Sequence, residues 1–152
     1  MLYILLVVFI VLAEHNIKNY IEGYKEMGER EEILGGKIII RKHYNQGAFL
    51  NFLEDKKEMV KTISGVCLGL LLLLFVIMLP KKGNKVYKLG LSLILGGAIS
   101  NVVDRFHRGY VVDYFSFNCK KLKSIIFNLA DMAIMIGSAF MLLSSVFSTK
   151  NK

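Results

Sequence analysis

Three aspartates stand apart from the other acidic residues of this sequence. Eight of the twelve acids fall between Glu22 and Glu58, in a stretch so polar that solvent exposure explains them. Only Asp104, Asp113 and Asp131 follow that stretch, and Asp131 lies inside an apolar segment. An ionisable side chain within a membrane segment costs about 2.5–3.5 kcal/mol on insertion scales, so it indicates a functional site by default. These aspartates are therefore the first candidates for chemistry.

Two carboxylates at one poorly hydrated site cannot both ionise easily, because each charge raises the pKa of the other. Such a pair shares one proton. The ionised member can activate a water, and the protonated member can donate to a substrate carbonyl oxygen, which hydrolyses a peptide bond without metal or covalent intermediate. The sequence has no Gly-x-Ser-x-Gly or His-Glu-x-x-His motif, and its histidines lack ligand spacing (His15, His43 and His107). We expect no metal and no organic cofactor.

Asparagines accompany the aspartates at helical spacing. Asn128 precedes Asp131 by three residues, and Asn101 precedes Asp104 by three, so each pair occupies one helix face. Arg105 adds a cation to the second group. The pattern concentrates polar groups at one depth on two helices. A structural role stays open at this point, with Asp131 as the partner of Arg105 or as a helix-packing hydrogen-bond acceptor.

The elements that must position these residues are membrane helices. The chain of 152 residues is 54% hydrophobic, and its apolar residues form long uncharged runs. A bilayer core of about 30 Å requires roughly 20 mostly apolar residues per helix. We predict an all-α membrane protein consisting of one domain, residues 1–152, with helices at about 1–20, 61–79, 86–103 and 125–147.

Two polar segments, about 21–60 and 104–124, connect these helices on one side of the membrane. Within the first, Lys37–Arg41 is rich in β-branched residues and is flanked by Gly35-Gly36 and by Asn45-Gln46-Gly47. This pattern predicts a short strand between turns. We expect a small extracytoplasmic β-strand segment between helices 1 and 2.

The net charge of +8 is best explained by membrane topology, and we expect no nucleic-acid partner. Four lysines crowd the link between helices 2 and 3, namely Lys81, Lys82, Lys85 and Lys88. This link and both termini lie on one side, which the positive-inside rule predicts to be cytoplasmic. Residues 104–124, which are predicted to face outward, do not fit this rule, because they contain five basic residues and two acids.

Cys67 lies in an apolar run and is expected to be a packed thiol, and its pairing with Cys119 stays open.

Four sequence blocks resemble the motifs of one family. Gly96–Arg105 (GGAISNVVDR) resembles a GGAxGNxxDR block, and Gly109–Phe115 (GYVVDYF) is similar to a G-x-VVD-F segment. Phe127–Ile134 (FNLADMAI) resembles FNxADxxI, and Asn45–Phe49 (NQGAF) resembles N-x-GAAF. In order and spacing these blocks resemble, along nearly the whole chain, the bacterial lipoprotein signal peptidases (signal peptidase II).

This resemblance implies an aspartic endopeptidase that removes signal peptides from lipid-modified prolipoproteins, cutting before the diacylglyceryl cysteine. It implies that Asp113 and Asp131 are the catalytic pair. It also implies a supporting or substrate-binding set: Asn45, Gly47, Asn101, Asp104, Arg105, Asn128, Glu14 and Lys18. The implied enzyme lies in the bacterial plasma membrane, and we expect it to be a monomer. Its partners are prolipoprotein substrates and membrane lipid, and its active site lies near the outer leaflet.

The chain departs from the family pattern at three places. The first block is usually D-Q-x-x-K, and here Glu14 and His15 replace its first two residues. Ser100 stands where glycine is usual, and the NQGAF block is one alanine short. A second hypothesis is a non-catalytic binding protein or a small ion- or proton-coupled transporter that uses the same membrane acids. A purely structural interpretation leaves the paired Asn-x-x-Asp pattern unexplained.

Overall fold

The computed structural model describes residues 1–47, 54–120 and 122–149. Within these residues the chain forms four long helices, three short strands and a single 3₁₀ turn, Glu54–Lys56. In chain order the elements are α1 (Leu2–Tyr24), β1 (Glu31–Ile33), β2 (Ile38–Asn45), α2 (Lys57–Met78), α3 (Lys85–His107), β3 (Val111–Phe117) and α4 (Leu129–Thr149).

All four helices are long and apolar enough to cross a membrane, which confirms the predicted all-α membrane fold. Helix α3 is central, because it contacts each of the other three helices. In the most apolar part of α3, 56% of the stretch is buried within the protein, whereas the corresponding share in α2 is 11%. The outer helices instead expose large apolar side chains, which a bilayer would cover.

Glycines let α3 approach its neighbours closely. A Cβ atom on Gly90 would lie 2.6 Å from the carbonyl oxygen of Gly137 in α4, so neither residue can carry a side chain. Further along the same two helices, a Cβ on Gly97 would collide with the carbonyl oxygen of Ala130. This close seam, of the kind that small residues form between membrane helices, fixes the first turn of α4 against α3.

The helix bounds differ from those expected from hydropathy. Helix α1 extends to Tyr24 and α3 to His107, because polar side chains at their ends are bonded inside the protein. As a result Asp104 lies within α3. Helix α4 begins only at Leu129, since the preceding Phe127 pairs with β3 through backbone hydrogen bonds. Asp131 therefore lies in the first turn of α4.

The strands form one antiparallel sheet in the order β1-β2-β3. The predicted strand segment between helices 1 and 2 is confirmed as β1 and β2. Strand β3 was not predicted; it comes from the segment between α3 and α4. An irregularity between Ile40 and His43 shifts the register, after which His43 pairs with Asp113 and Asn45 with Val111.

One of the four lysines at the link between α2 and α3 has a structural role. Lys88 is buried, and its ammonium group donates to the carbonyl oxygens of Leu79 (3.1 Å) and Lys81, which caps the end of α2. Cys67 and Cys119 are both free and exposed. The prediction of a packed thiol at Cys67 is wrong, because this face of α2 points away from the other helices.

Candidate active site

Asp113 and Asp131 line the same cavity, which has a volume of about 370 Å³. Asp113 comes from β3 and is 2% exposed, and Asp131 comes from the first turn of α4. Three of the predicted supporting residues line it as well, namely Asn45, Asn101 and Arg105. The rest of the lining is mostly apolar and includes Ile125, Ile126, Phe127, Ile134 and Met135.

Asn128 connects the two carboxylates. Its side-chain nitrogen donates to Oδ1 of Asp113 at 2.6 Å. Its side-chain oxygen accepts from the backbone N–H of Asp131 at 2.8 Å, and its own backbone N–H donates to Oδ2 of Asp131 at 3.2 Å. This reciprocal exchange is a capping box at the start of α4. The predicted Asn-x-x-Asp pair is therefore a helix cap that also holds Asp113.

Two further asparagines bind the remaining carboxylate oxygens. Asn101 donates to Oδ1 of Asp131 at 2.9 Å, and Asn45 donates to Oδ2 of Asp113 at 3.1 Å. The side-chain oxygen of Asn45 accepts from the backbone N–H of Gly47 at 3.1 Å, which fixes the direction of its amide. All four oxygens thus accept N–H groups, and none of these donors carries a charge.

Burial, followed by the nearby charge of Asp131, raises the pKa of Asp113 to about 7. The hydrogen bonds from Asn45 and Asn128 act in the opposite direction. Near neutral pH the Asp113 carboxyl group can therefore exist with or without its proton, as acid–base chemistry requires.

Arg105 lines the cavity but bonds to the backbone. Its terminal nitrogens donate to the carbonyl oxygens of Asn101 (3.2 Å) and Gly47 (3.1 Å), which ties the end of β2 to α3. Within the described residues, no ion pair joins Arg105 to Asp131. The structural interpretation of Asp131 as the partner of Arg105 thus receives no support from the geometry.

Behind Asn101 lies a buried group that we call the Lys18 cluster, consisting of Glu14, Lys18, Ser100 and Asp104. The Lys18 ammonium group donates to Asp104 (2.9 Å) and Ser100 (3.2 Å), and Glu14 lies 3.7 Å away. It also donates to the side-chain oxygen of Asn101 at 3.0 Å. Because that oxygen faces a cation, the amide nitrogen of Asn101 must face Asp131.

Asp104 supports β3 rather than the cavity. Its carboxylate accepts the backbone N–H of Val112 at 3.3 Å, next to Asp113 in the chain. Its other oxygen lies 3.2 Å from Nε of Arg108. The predicted residues Glu14, Lys18, Asp104 and Gly47 thus stand one layer behind the cavity, whereas Ala48 and Phe49 of the NQGAF block lie outside the described residues.

Tyr114 is a site residue that the sequence analysis missed. Its hydroxyl accepts the backbone N–H of Leu129 at 3.0 Å and donates to Oε1 of Glu14 at 3.2 Å. The same Glu14 oxygen accepts the backbone N–H of Ala130. With the Asn128 cap on Asp131, the first three N–H groups of α4 are all bonded. His43, which also lines the cavity, was given no role by the sequence analysis.

The arrangement can perform acid–base chemistry on a group inside the cavity. Two carboxylates face one apolar-walled space, and neutral donors fix both. Among the described residues, no group of three or more His, Cys, Asp or Glu side chains is arranged to hold a metal ion. The donor set therefore fits a carboxylate pair that shares a proton and acts on a water molecule.

Comparison with known proteins gives a consistent result. Residues 6–147 match the family model for signal peptidase (SPase) II. A lipoprotein signal peptidase of Brevibacillus brevis is 35% identical over 144 residues, covering 94% of this chain and 93% of that protein. One from Cronobacter sakazakii is 33% identical over 151 residues, covering 97% and 90%. A bacterial membrane enzyme solved by the in meso method at 2.3 Å superposes with a TM-score of 0.86 at 28% identity, covering 99% of this chain and 90% of that one.

Proposed function

Because this chain belongs to the signal peptidase II family, we propose that Asp113 and Asp131 are the catalytic pair with which it cleaves its substrate. The chain is a multi-pass aspartic endopeptidase of the bacterial cell membrane. It removes the signal peptide from diacylglyceryl-modified prolipoproteins by cutting before the lipidated cysteine. No observation favours the transporter or the non-catalytic binding protein.

The observation that carries the proposal is the connection of the two carboxylates through Asn128 at the wall of one cavity. A pair that served only for packing would need no open space in front of it. Here the carboxylates face an apolar-walled cavity of about 370 Å³, large enough to admit a peptide segment and a water.

The reaction follows from a shared proton. The ionised carboxylate removes a proton from a water molecule as the water oxygen attacks the scissile carbonyl carbon. The protonated carboxyl group gives its proton to the carbonyl oxygen, forming a tetrahedral diol. As the C–N bond breaks, the carboxyl group that received the proton from water protonates the leaving nitrogen. The other carboxylate recovers a proton from the diol, so the pair again holds one proton.

The supporting residues set the geometry of these steps. Asn45, Asn101 and Asn128 hold the carboxylates by neutral hydrogen bonds, which leave the shared proton free to move. Arg105, at the cavity wall, is placed to bind a backbone carbonyl of the substrate. The Lys18 cluster fixes Asn101 from behind.

The position in the membrane follows from charge and from the shape of the site. We propose that the exposed lysines Lys81, Lys82 and Lys85 face the cytoplasm together with both termini. The sheet and the cavity then lie at the outer boundary. The substrate enters laterally from the outer leaflet, with its acyl chains between helices and its peptide clamped by the sheet. The whole chain acts as one domain and as a monomer in membrane lipid.

The test is a cleavage assay in nanodiscs with a diacylglyceryl-modified prolipoprotein. Wild type, Asp113→Asn and Asp131→Asn are compared, with Asp55→Asn as a matched exposed aspartate. We expect wild type and Asp55→Asn to cut before the lipidated cysteine and the other two to fold without cutting. Substantial turnover by either cavity variant would exclude the proposed pair.

A further inference from the structure

A second cavity, half of whose lining residues are basic, lies next to the catalytic one. It has a volume of about 240 Å³ and lies between the beginning of α2 and the end of α3. Its charged lining residues are Lys57, Glu58, Lys61, Arg105 and Arg108. Arg105 also lines the catalytic cavity, so the two cavities share a wall. We call the second one the basic cavity; it contains four cations against one acid.

The arginines of the basic cavity are only partly matched by protein groups. Arg108 is compensated, because its guanidinium lies 3.2 Å from Asp104 and 3.8 Å from Glu22. Arg105 bonds to two backbone carbonyls, which carry no full charge, and its Nε is buried with no hydrogen-bond partner in the described part of the chain. Because this nitrogen is buried, Arg105 contributes positive charge to the wall of the basic cavity rather than a free donor.

The lysines have no matching anion. Over residues 1–47, 54–120 and 122–149, neither Lys57 nor Lys61 forms an ion pair, and the ammonium group of Lys61 lies 5.0 Å from the ring centroid of Phe106. Both lysines also stand in the first turns of α2, where the helix dipole disfavours cations. Helix stability therefore does not account for their charge, whereas a bound anion would.

The depth of the basic cavity indicates the class of anion. One membrane helix begins here and another ends here, so the cavity lies at the membrane–water boundary. Phe106 (56% exposed) and Ile63 (51% exposed) lie in the adjoining turns of α3 and α2 and present apolar surface to the bilayer. Phospholipid phosphates occupy this depth, and juxtamembrane lysines and arginines attract anionic lipids. Two of the five basic residues of segment 104–124, Arg105 and Arg108, line this cavity.

We infer that the basic cavity binds the phosphate group of an anionic phospholipid, whose acyl chains lie against the exposed apolar surface of α2 and α3. Lys57 and Lys61 supply the donors, and Arg105 adds positive charge to the wall. Free inorganic phosphate has the same chemistry, but it lacks acyl chains to cover the neighbouring apolar surface. The inference does not depend on which carboxylates are catalytic.

The experiment measures lipid retention by the full chain. Wild type, Lys57→Gln/Lys61→Gln and a charge-matched control, Lys81→Gln/Lys82→Gln, are purified from nanodiscs of equal phosphatidylglycerol and phosphatidylcholine. Native mass spectrometry then counts the bound lipid. We expect wild type to retain phosphatidylglycerol selectively. The Lys57/Lys61 variant should retain about tenfold to thirtyfold less, as expected for two lysine–lipid interactions. Lys57→Arg/Lys61→Arg should retain the lipid.

Further measurements distinguish the possible outcomes of this experiment. Equal loss in the Lys81/Lys82 control would indicate general electrostatic attraction and overturn the site. Lysine-dependent binding of inorganic phosphate, without preference between the lipids, would overturn the lipid assignment. In nanodiscs of phosphatidylcholine alone, the Lys57/Lys61 variant should cleave prolipoprotein as wild type does and should melt at the same temperature. A failure of the catalytic pair is therefore recognised separately from a failure of the lipid site.

Discussion

Two pairs of carboxylates meet at Asn101, and they differ in what neutralises them. In the Lys18 cluster, Glu14 and Asp104 lie around a lysine that is 1% exposed, and Glu14 itself is fully buried. The cavity pair, Asp113 and Asp131, receives only neutral amide and backbone donors and faces a cavity. The same residue type thus occurs within one network in two electrostatic settings.

The difference shows how a buried acid is kept structural or reactive. A lysine among carboxylates offsets their negative charge and holds them in place by ion pairs and hydrogen bonds, which suits a structural role. Neutral amides fix the position of a carboxylate without cancelling its charge, as the proposed proton-sharing pair requires. Asn101 lies between the two pairs of carboxylates, because its side-chain oxygen faces Lys18 and its side-chain nitrogen faces Asp131.

The largest expected effect is the loss of turnover in Asp131→Asn. This change removes an acid–base group but keeps the size and shape of the side chain, so we expect kcat to fall by about 10²–10⁴-fold. Thermal stability in detergent should change little, because the repulsion with Asp113 is relieved while one hydrogen bond to the side chain is lost. Asp104→Asn should show the reverse balance, with a lower melting temperature and a smaller loss of kcat. If the two variants behave alike, the distinction between the carboxylate pairs is wrong.

Lys18→Met should cause the next largest effect, this time mainly on stability. It leaves Glu14 and Asp104 buried without their cation, and breaking a buried pair typically costs about 3–5 kcal/mol. Activity should also fall, since Asn101 loses the donor that orients its amide. Unfolding in detergent and cleavage would be measured together.

Lys25→Met is the control for that change. Lys25 approaches Glu29 at 2.8 Å and Glu31 at 2.5 Å, closer than Lys18 approaches Glu14, but both of its partners are exposed. Water and salt screen such pairs, so we expect little change in stability. An equal loss in both variants would mean that burial does not explain the importance of Lys18.

Asp131 could be predicted from the sequence because the cost of a carboxylate in a membrane helix is a local property, whereas the role of Asp113 was predicted from the resemblance of its sequence block. Asp131 is conspicuous among apolar neighbours, and the spacing of Asn128 from Asp131 survives in the structure as a capping box. The four helices could be predicted for the same reason, since bilayer thickness fixes their length.

Strand β3 and Tyr114 could not be predicted in this way. The VVDYFSF segment, Val111–Phe117, is a strand because it pairs with β2 and with Phe127, and both partners are distant in sequence. Tyr114 gains its role only when that strand brings its hydroxyl to Glu14 and to the start of α4. The sequence pattern within the segment gives no indication that Tyr114 makes these contacts.

Tyr114→Phe tests the residue that the sequence did not reveal. Without the hydroxyl, the backbone N–H of Leu129 has no acceptor and Glu14 loses one of its hydrogen bonds. Both changes occur at the helix end that carries Asp131. A buried unsatisfied group costs about 1–3 kcal/mol, so we expect the melting temperature to fall and kcat to decrease about tenfold with little change in KM. Tyr44→Phe, which loses a half-buried bond to Glu22, should leave kcat near wild type. A Tyr114 variant as active as its control would remove this residue from the support of the pair.

The smallest effect is a shift of the pH profile, and it tests the shared proton directly. Asn45 donates to Asp113 and thereby lowers a pKa that burial has raised to about 7. In Asn45→Ala that donor is lost, so the pKa of Asp113 rises further and the carboxyl group keeps its proton to higher pH. Because turnover ends when the pair loses its last proton, the alkaline limb of kcat/KM should move upward from neutral pH. Asn118→Ala, which loses a hydrogen bond to Gly36 away from the cavity, should leave the limb in place. A limb that moves downward, or that moves in neither variant, would show that Asp113 does not carry the proton on which cleavage depends.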